Sequence, residues 1–129
     1  HSCLQKTVKM LPKGTSEVLF VCGEIDCREG IGGAFDKGKY HNMASAVEET
    51  VQRYVHALQR FAKRLGINFI VLPVPPQVLR RRNKGRFEQR ERRNFTIHTF
   101  NQILRDCLNP APDNYNVSLP GEGLNKVKK

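Results

Sequence analysis

Val18, Leu19, Phe20, Val21 and Cys22 follow one another without a polar residue, bounded by Gly14-Thr15-Ser16 on one side and Gly23 on the other. A run this short and continuously apolar fits a strand covered on both faces, as in a parallel sheet with helices on either side. A second run, Ile67, Phe69, Ile70, Val71 and Leu72, ends in Pro73-Val74-Pro75-Pro76. Between them, residues 43–65 carry Val47, Val51, Tyr54, Val55, Leu58, Phe61, Ala62 and Leu65 at helical spacing, which gives one wide apolar stripe. Asn42 is placed to cap that helix at its start, and Gly66 supplies the left-handed residue after its end. Glu48 and Glu49 in its early turns, and Arg60, Lys63 and Arg64 toward its end, suit the helix dipole. Strand, helix and strand of these lengths make a βαβ unit with a right-handed crossover.

The flanking elements follow the same logic. Leu4, Val8 and Leu11 fall on one face of a helix that Pro12-Lys13-Gly14 stops. Strand 17–22 leads into the glycine-rich stretch 23–42, read as a loop too long for a simple connector. A second helix is expected over 92–108, with Phe95, Thr99, Phe100, Ile103, Leu104, Cys107 and Leu108 inward. Asn109-Pro110-Ala111-Pro112 breaks it, and Tyr115, Val117 and Leu119 alternate as a short third strand would. The 129 residues read as a single α/β domain, large enough for a core without disulfide or metal staples. No apolar run approaches the ~20 residues of a membrane helix.

The formal net charge of +10 is uneven. Arg80, Arg81, Arg82, Lys84, Arg86, Arg90, Arg92 and Arg93 crowd one segment, against Glu88 and Glu91, while Lys126, Lys128 and Lys129 make a basic tail. Such a cluster either binds phosphate-rich polymers or an acidic partner through long-range attraction, or is simply a solvated segment. The four cysteines have no zinc-ligand spacing. Cys22 and Cys107 read as small buried hydrophobes, and the set as a whole suits a reducing compartment.

Gly23-Glu24-Ile25-Asp26-Cys27-Arg28, placed after a buried strand, resembles a GEIDCR-type branch of the SGNH/GDSL hydrolase superfamily. The superfamily's third block reads G-x-N-D at a strand end, and Gly23-Glu24-Ile25-Asp26 stands in that place. The order of elements agrees over most of 17–108: a long helix, a strand ending in prolines, then a helix bearing Phe100-Asn101-x-x-Leu104. The resemblance implies a three-layer sandwich on a parallel, flavodoxin-like sheet, incomplete at the ends of this chain. It also implies serine acylation by a small-molecule or glycan ester, then attack by water, with no cofactor. Two blocks of that family are absent: neither a G-D-S nucleophile block nor a D-x-x-H base block is present, and Ile25 replaces the Asn that donates to the oxyanion. The start at His1 rather than Met fits a piece of a longer enzyme that is inactive by itself.

In open α/β sheets ligands bind outside the carboxyl ends of strands, which makes Gly23, Glu24, Asp26 and Arg28 the candidate site loop. In an extended segment Glu24, Asp26 and Arg28 share one face, where two carboxylates and a guanidinium either orient a substrate or hold the loop together. Cys27, on the opposite face, is a nucleophile if Arg28 lowers its pKa and His41 acts as base, or else a quiet half-buried thiol. Gly30-Ile31-Gly32-Gly33 either offers backbone N–H groups to a phosphate or gives the loop freedom. His56 and His98 are expected at the surface, and no metal site is assigned. The alternative to a hydrolase is a non-catalytic binding module that engages nucleic acid or an acidic partner through residues 80–93, chiefly Arg80, Arg81, Arg82, Lys84 and Arg86.

Overall fold

Phe69 is 1% exposed, and the strand that carries it organises the sheet. In the computed structural model, which describes residues 2–21, 23–77, 87–108 and 117–120, β2 (Asn68–Val71) lies between β1 (Glu17–Phe20) and β3 (Val117–Ser118). Both pairings are parallel, with Val18 opposite Phe69, Phe20 opposite Val71, and Phe69 opposite Val117. Val18, Phe20, Phe69, Val71 and Val117 therefore line one face, and the rings of Phe20 and Phe69 meet edge-on at 6.4 Å. The parallel pairing of the two apolar runs, and the third strand at Val117, are as the sequence leads one to expect.

The crossover is α3 (Met43–Leu65), preceded by α1 (Ser2–Lys9) and α2 (Ile31–Asp36) and followed, after β2, by α4 (Phe87–Leu108). The ends of α3 are set locally. Asn42 is extended and its Oδ1 accepts the Ser45 N–H at 2.8 Å, while Gly66 adopts φ +65° and its N–H donates to the Ala62 carbonyl. The buried stripe of α3 is Ala46, Val47, Val51, Val55, Leu58 and Ala62, packed with Phe100, Leu104 and Leu108 of α4 in the core cluster around the sheet's inner face. Thr96 of α4 is buried among these apolar neighbours, and its hydroxyl is satisfied by donating to the Arg92 carbonyl one turn back.

Four expectations are corrected. First, the sheet is not covered on both faces among the described residues: Leu19 is 59% exposed and Val21 64%, and Ile70, opposite Leu19, is half-buried. An apolar run records what a strand could bury, not what lies against it. Second, the stretch 23–42 is largely helical, with a π-helical turn at Asp26–Gly30 leading directly into α2. Cys27 and Ile31, one turn apart and both buried, anchor it to the core, and that spacing is a helical signal hidden by the glycines. Third, α4 begins before residue 92, so the arginine-rich segment is partly helix. Fourth, Phe95 on α4 and Leu65 on α3 are nearly half exposed rather than buried. Each sits at the margin of an apolar stripe, and on α4 the interior position falls to Thr96 instead.

The one-sided sheet has a direct consequence. Phe69→Ala should cost about 3–5 kcal/mol, because it empties the middle of the core. Leu19→Ser, on the opposite face, should stay within about 0.5 kcal/mol of the parent. Urea denaturation of the two variants checks both, and a large cost for Leu19→Ser would mean that the outer face is covered.

Candidate functional site

The carboxyl ends of β1 and β2 converge on α4. Beyond β1, Gly23 adopts φ +96°, a conformation that L side chains rarely take. A Cβ there would lie 2.7 Å from Phe100 Cζ and 3.1 Å from Val74 Cγ2, so packing excludes a side chain as firmly as the backbone does. Beyond β2, Asn101 grips Val74 twice: Oδ1 accepts its N–H at 2.8 Å, and Nδ2 donates to its carbonyl at 2.9 Å. The proline-rich segment cannot continue the ladder in the ordinary way, and the Asn101 amide takes the place of a neighbouring strand. Gln77 extends the same join, its Nε2 donating to the Arg90 carbonyl at 2.9 Å and to Asn94 Oδ1 at 2.7 Å.

The candidate loop residues do not share a face. The Gly23 carbonyl accepts the Cys27 N–H at 2.9 Å, so the chain turns helical at once and the extended geometry expected for Glu24, Asp26 and Arg28 is lost. Glu24 and Arg28, one helical turn apart, pair at 3.5 Å, with Glu29 at 3.9 Å from the same guanidinium. These are half-exposed pairs, worth about 0.2–1 kcal/mol. Asp26 turns the other way and accepts the Tyr54 hydroxyl of α3 at 2.5 Å. Both residues border a cavity of about 300 Å³ with Leu4, Thr50 and Arg53, and the Tyr54 ring meets that of Phe100 at 6.3 Å. Asp26, Tyr54, Phe100 and Gly23 thus form one chain of contacts from the loop through the core and back to the strand end.

Arg92, one of the basic cluster in the sequence, fastens α2 to α4. Its guanidinium donates to Asp36 at 3.0 and 3.3 Å, to the Gly32 carbonyl at 2.7 Å and to Met43 Sδ at 3.8 Å, and lies 5.5 Å from the Phe35 ring centre. Gly32 leaves room for it, since a Cβ there would stand 3.1 Å from Arg92 Nη2. Gly32 and Gly33 are helical, and the Gly32 carbonyl is bound by an arginine, so the segment is not an open cradle of N–H groups. Beside this join runs a groove of about 310 Å³, whose lining includes Cys27, Arg28 and Glu29 of the π-helical turn and Arg93 of α4.

Cys27 is 3% exposed and borders that groove on the same side as Arg28, not opposite it. His41 is exposed before α3 and does not line the groove. His56 and His98 are exposed, as expected. Among the described residues no group of three His, Cys, Asp or Glu side chains is placed to hold a metal, and no helix is long and apolar enough to cross a membrane. Ile25 is 64% exposed and presents no polar group where the family block has its donor. Cys22 and the basic residues Arg80, Arg81, Arg82, Lys84 and Arg86 lie outside the described residues. The sequence does carry the signals for Gly23 and Asn101; nothing local marks Tyr54 as the partner of Asp26 or Arg92 as a tie, because both depend on residues far along the chain. No family model, curated protein or solved structure matches this chain.

Gly23→Ala should destabilise the protein by more than about 1 kcal/mol through its backbone strain, with the clash against Phe100 adding to it. Asn101→Ala should cost about 1–3 kcal/mol by leaving the Val74 peptide unpaired, and amide exchange at Val74 should accelerate. Thermal denaturation and hydrogen exchange test the two.

Cys107 of α4 supplies a pH-dependent signal. Burial, then the nearby charges of Asp106 and Glu48, raise its thiol pKa above the ordinary cysteine value. The folded state holds the proton more tightly than the unfolded one. Its contribution to stability is therefore present below the ordinary cysteine pKa and lost as pH rises through the raised value. The expected outcome is a stability that declines on that alkaline limb and is flattened in Cys107→Ala, measured by urea denaturation across pH.

Proposed function

We propose that this chain carries the central loop of an SGNH-like ester or acyl hydrolase site. The observation that carries the reading is Gly23. It stands three residues beyond β1, in a left-handed conformation, packed on Phe100 and on Val74 beyond the end of the neighbouring strand. A catalytic loop outside the carboxyl ends of a parallel sheet needs a sharp, pre-set departure of this kind. The order strand, long helix, proline-ended strand and helix agrees with the resemblance in the sequence.

On this reading the remaining groups of the reaction come from elsewhere. Acyl transfer needs a nucleophile, a base to take its proton and donors for the oxyanion. The recognisable serine and Asp-His blocks are not among these residues, and Ile25 cannot donate, so a longer protein containing this chain would supply them. The same reading assigns the domain to a three-layer, flavodoxin-like sandwich. The apolar, exposed outer side chains of Leu19 and Val21 are what a second helical layer would bury. The substrate would be a small-molecule or glycan ester, and no cofactor is required.

Assays with short acyl esters on the longest reading frame containing these residues, and on the 129-residue chain, test the proposal. Turnover is expected in the longer protein and not in the chain alone. Within the longer protein, Asp26→Ala should lower kcat/KM more than Glu29→Ala. Comparison with Tyr54→Phe separates the roles: equal losses would mean that Asp26 acts by holding Tyr54, and a larger loss in Asp26→Ala would place it nearer the reacting groups. Robust turnover by the chain alone, or none by the longer protein, would overturn the hydrolase reading.

A further inference from the structure

The groove between the π-helical turn and α4 touches the candidate loop only at Arg28, and its chemistry is of another kind. Three arginines, Arg28, Arg92 and Arg93, line it against two carboxylates, Glu29 and Asp36, with the Gln89 amide on the same wall. The three arginines differ in what already occupies them. Arg92 is spent on Asp36, Gly32 and Met43. Among the described residues Arg93 donates from Nε to the Arg28 carbonyl at 3.3 Å, a bond that leaves both terminal nitrogens of its guanidinium for a ligand. Arg28 pairs with Glu24 and Glu29 only at 3.5 and 3.9 Å, between half-exposed groups that exchange partners at little cost.

We propose that this groove binds the phosphoryl group of a small phosphate ester. Arg93 and Arg28 serve as the charged donors and Gln89 as a neutral one, with Arg92 as the residue that positions the wall. Guanidinium forks match phosphate oxygens in geometry as well as in charge. A phosphate monoester presents three terminal oxygens, enough to engage forks from two different elements, whereas one fork already satisfies a carboxylate. A volume of about 310 Å³ is that of a small-ligand site. Among the described residues no aromatic ring lines the groove, so these residues offer no platform on which the bases of a single-stranded nucleic acid would stack. The inference shares Arg28 with the candidate loop but uses neither Gly23 nor Asp26, and phosphate binding by the 129-residue chain is read without any ester turnover.

Titration of the 129-residue chain with inorganic phosphate at fixed ionic strength tests it, followed by calorimetry and by the Nε–Hε resonances of arginine. The expected result is saturable binding at one site that shifts the resonances of Arg28 and Arg93. Arg93→Gln and Arg28→Gln should each weaken binding about tenfold or more, as expected for loss of a charge-assisted bond. Glu29→Gln should strengthen it, because it removes from the groove one of the two carboxylates that compete for Arg28. Gly33→Glu adds a side chain where a Cβ meets nothing within 4 Å, and should abolish binding with the circular dichroism spectrum unchanged. Arg53→Gln, on α3 beside the other cavity, should change nothing. Lack of saturation at ~10 mM phosphate, weaker than any useful site, would overturn the proposal. So would an equal loss in Arg53→Gln, or binding of a short RNA without any binding of phosphate.

Discussion

The ring of Phe100 rests where Gly23 has no side chain, and the next residue, Asn101, holds both polar groups of the Val74 peptide. Through these two neighbours a single turn of α4 fixes the exits of β1 and β2. Remove the close approach at Gly23 and the loop cannot leave β1 at its present angle; remove the Asn101 amide and the proline-rich segment has a buried peptide with no partner. Everything at the carboxyl edge of the sheet inherits its position from this join, including the π-helical turn, the Asp26–Tyr54 bond and the groove beside Arg93.

The charged residues of the loop are divided by that geometry into two separate environments. Asp26 faces α3 and is held by a phenol in contact with the core, so its orientation is set by packing. Arg28 and Glu29 line the groove against α4, and among the described residues their side chains make exposed ion pairs that yield to a ligand at little cost. Arg92 separates these two behaviours within one cluster of like charges. Bound by a carboxylate, a carbonyl and a sulfur, it acts as a structural tie, while Arg93 one residue later retains donors. Net charge alone predicts none of this difference.

The sheet's two faces tell a similar story. Its inner face carries Val18, Phe20, Phe69, Val71 and Val117 into a core shared with α3 and α4. Its outer face carries Leu19 and Val21, equally apolar in sequence and largely exposed. Burial on the inner face accounts for the stability of the fold, and the outer face is the natural place for a further layer in a three-layer reading.

The sequence by itself determined the elements whose causes are local. The α3 helix, its Asn42 and Gly66 caps and the parallel strands around it follow from periodicity and capping chemistry within a few residues. Tertiary structure alone decided the rest. Glycines at Gly30, Gly32 and Gly33 argue locally for a loop, yet Cys27 and Ile31 find a core to enter and Arg92, some 60 residues away along the chain, binds the Gly32 carbonyl, so the segment becomes helix. Likewise alternation and spacing say which side chains could be buried or could meet, but not which neighbours arrive. Partners such as Tyr54 for Asp26 are chosen by the folded arrangement of helices, because hydrogen bonds and ion pairs act over a few ångströms of space and carry no trace in sequence separation.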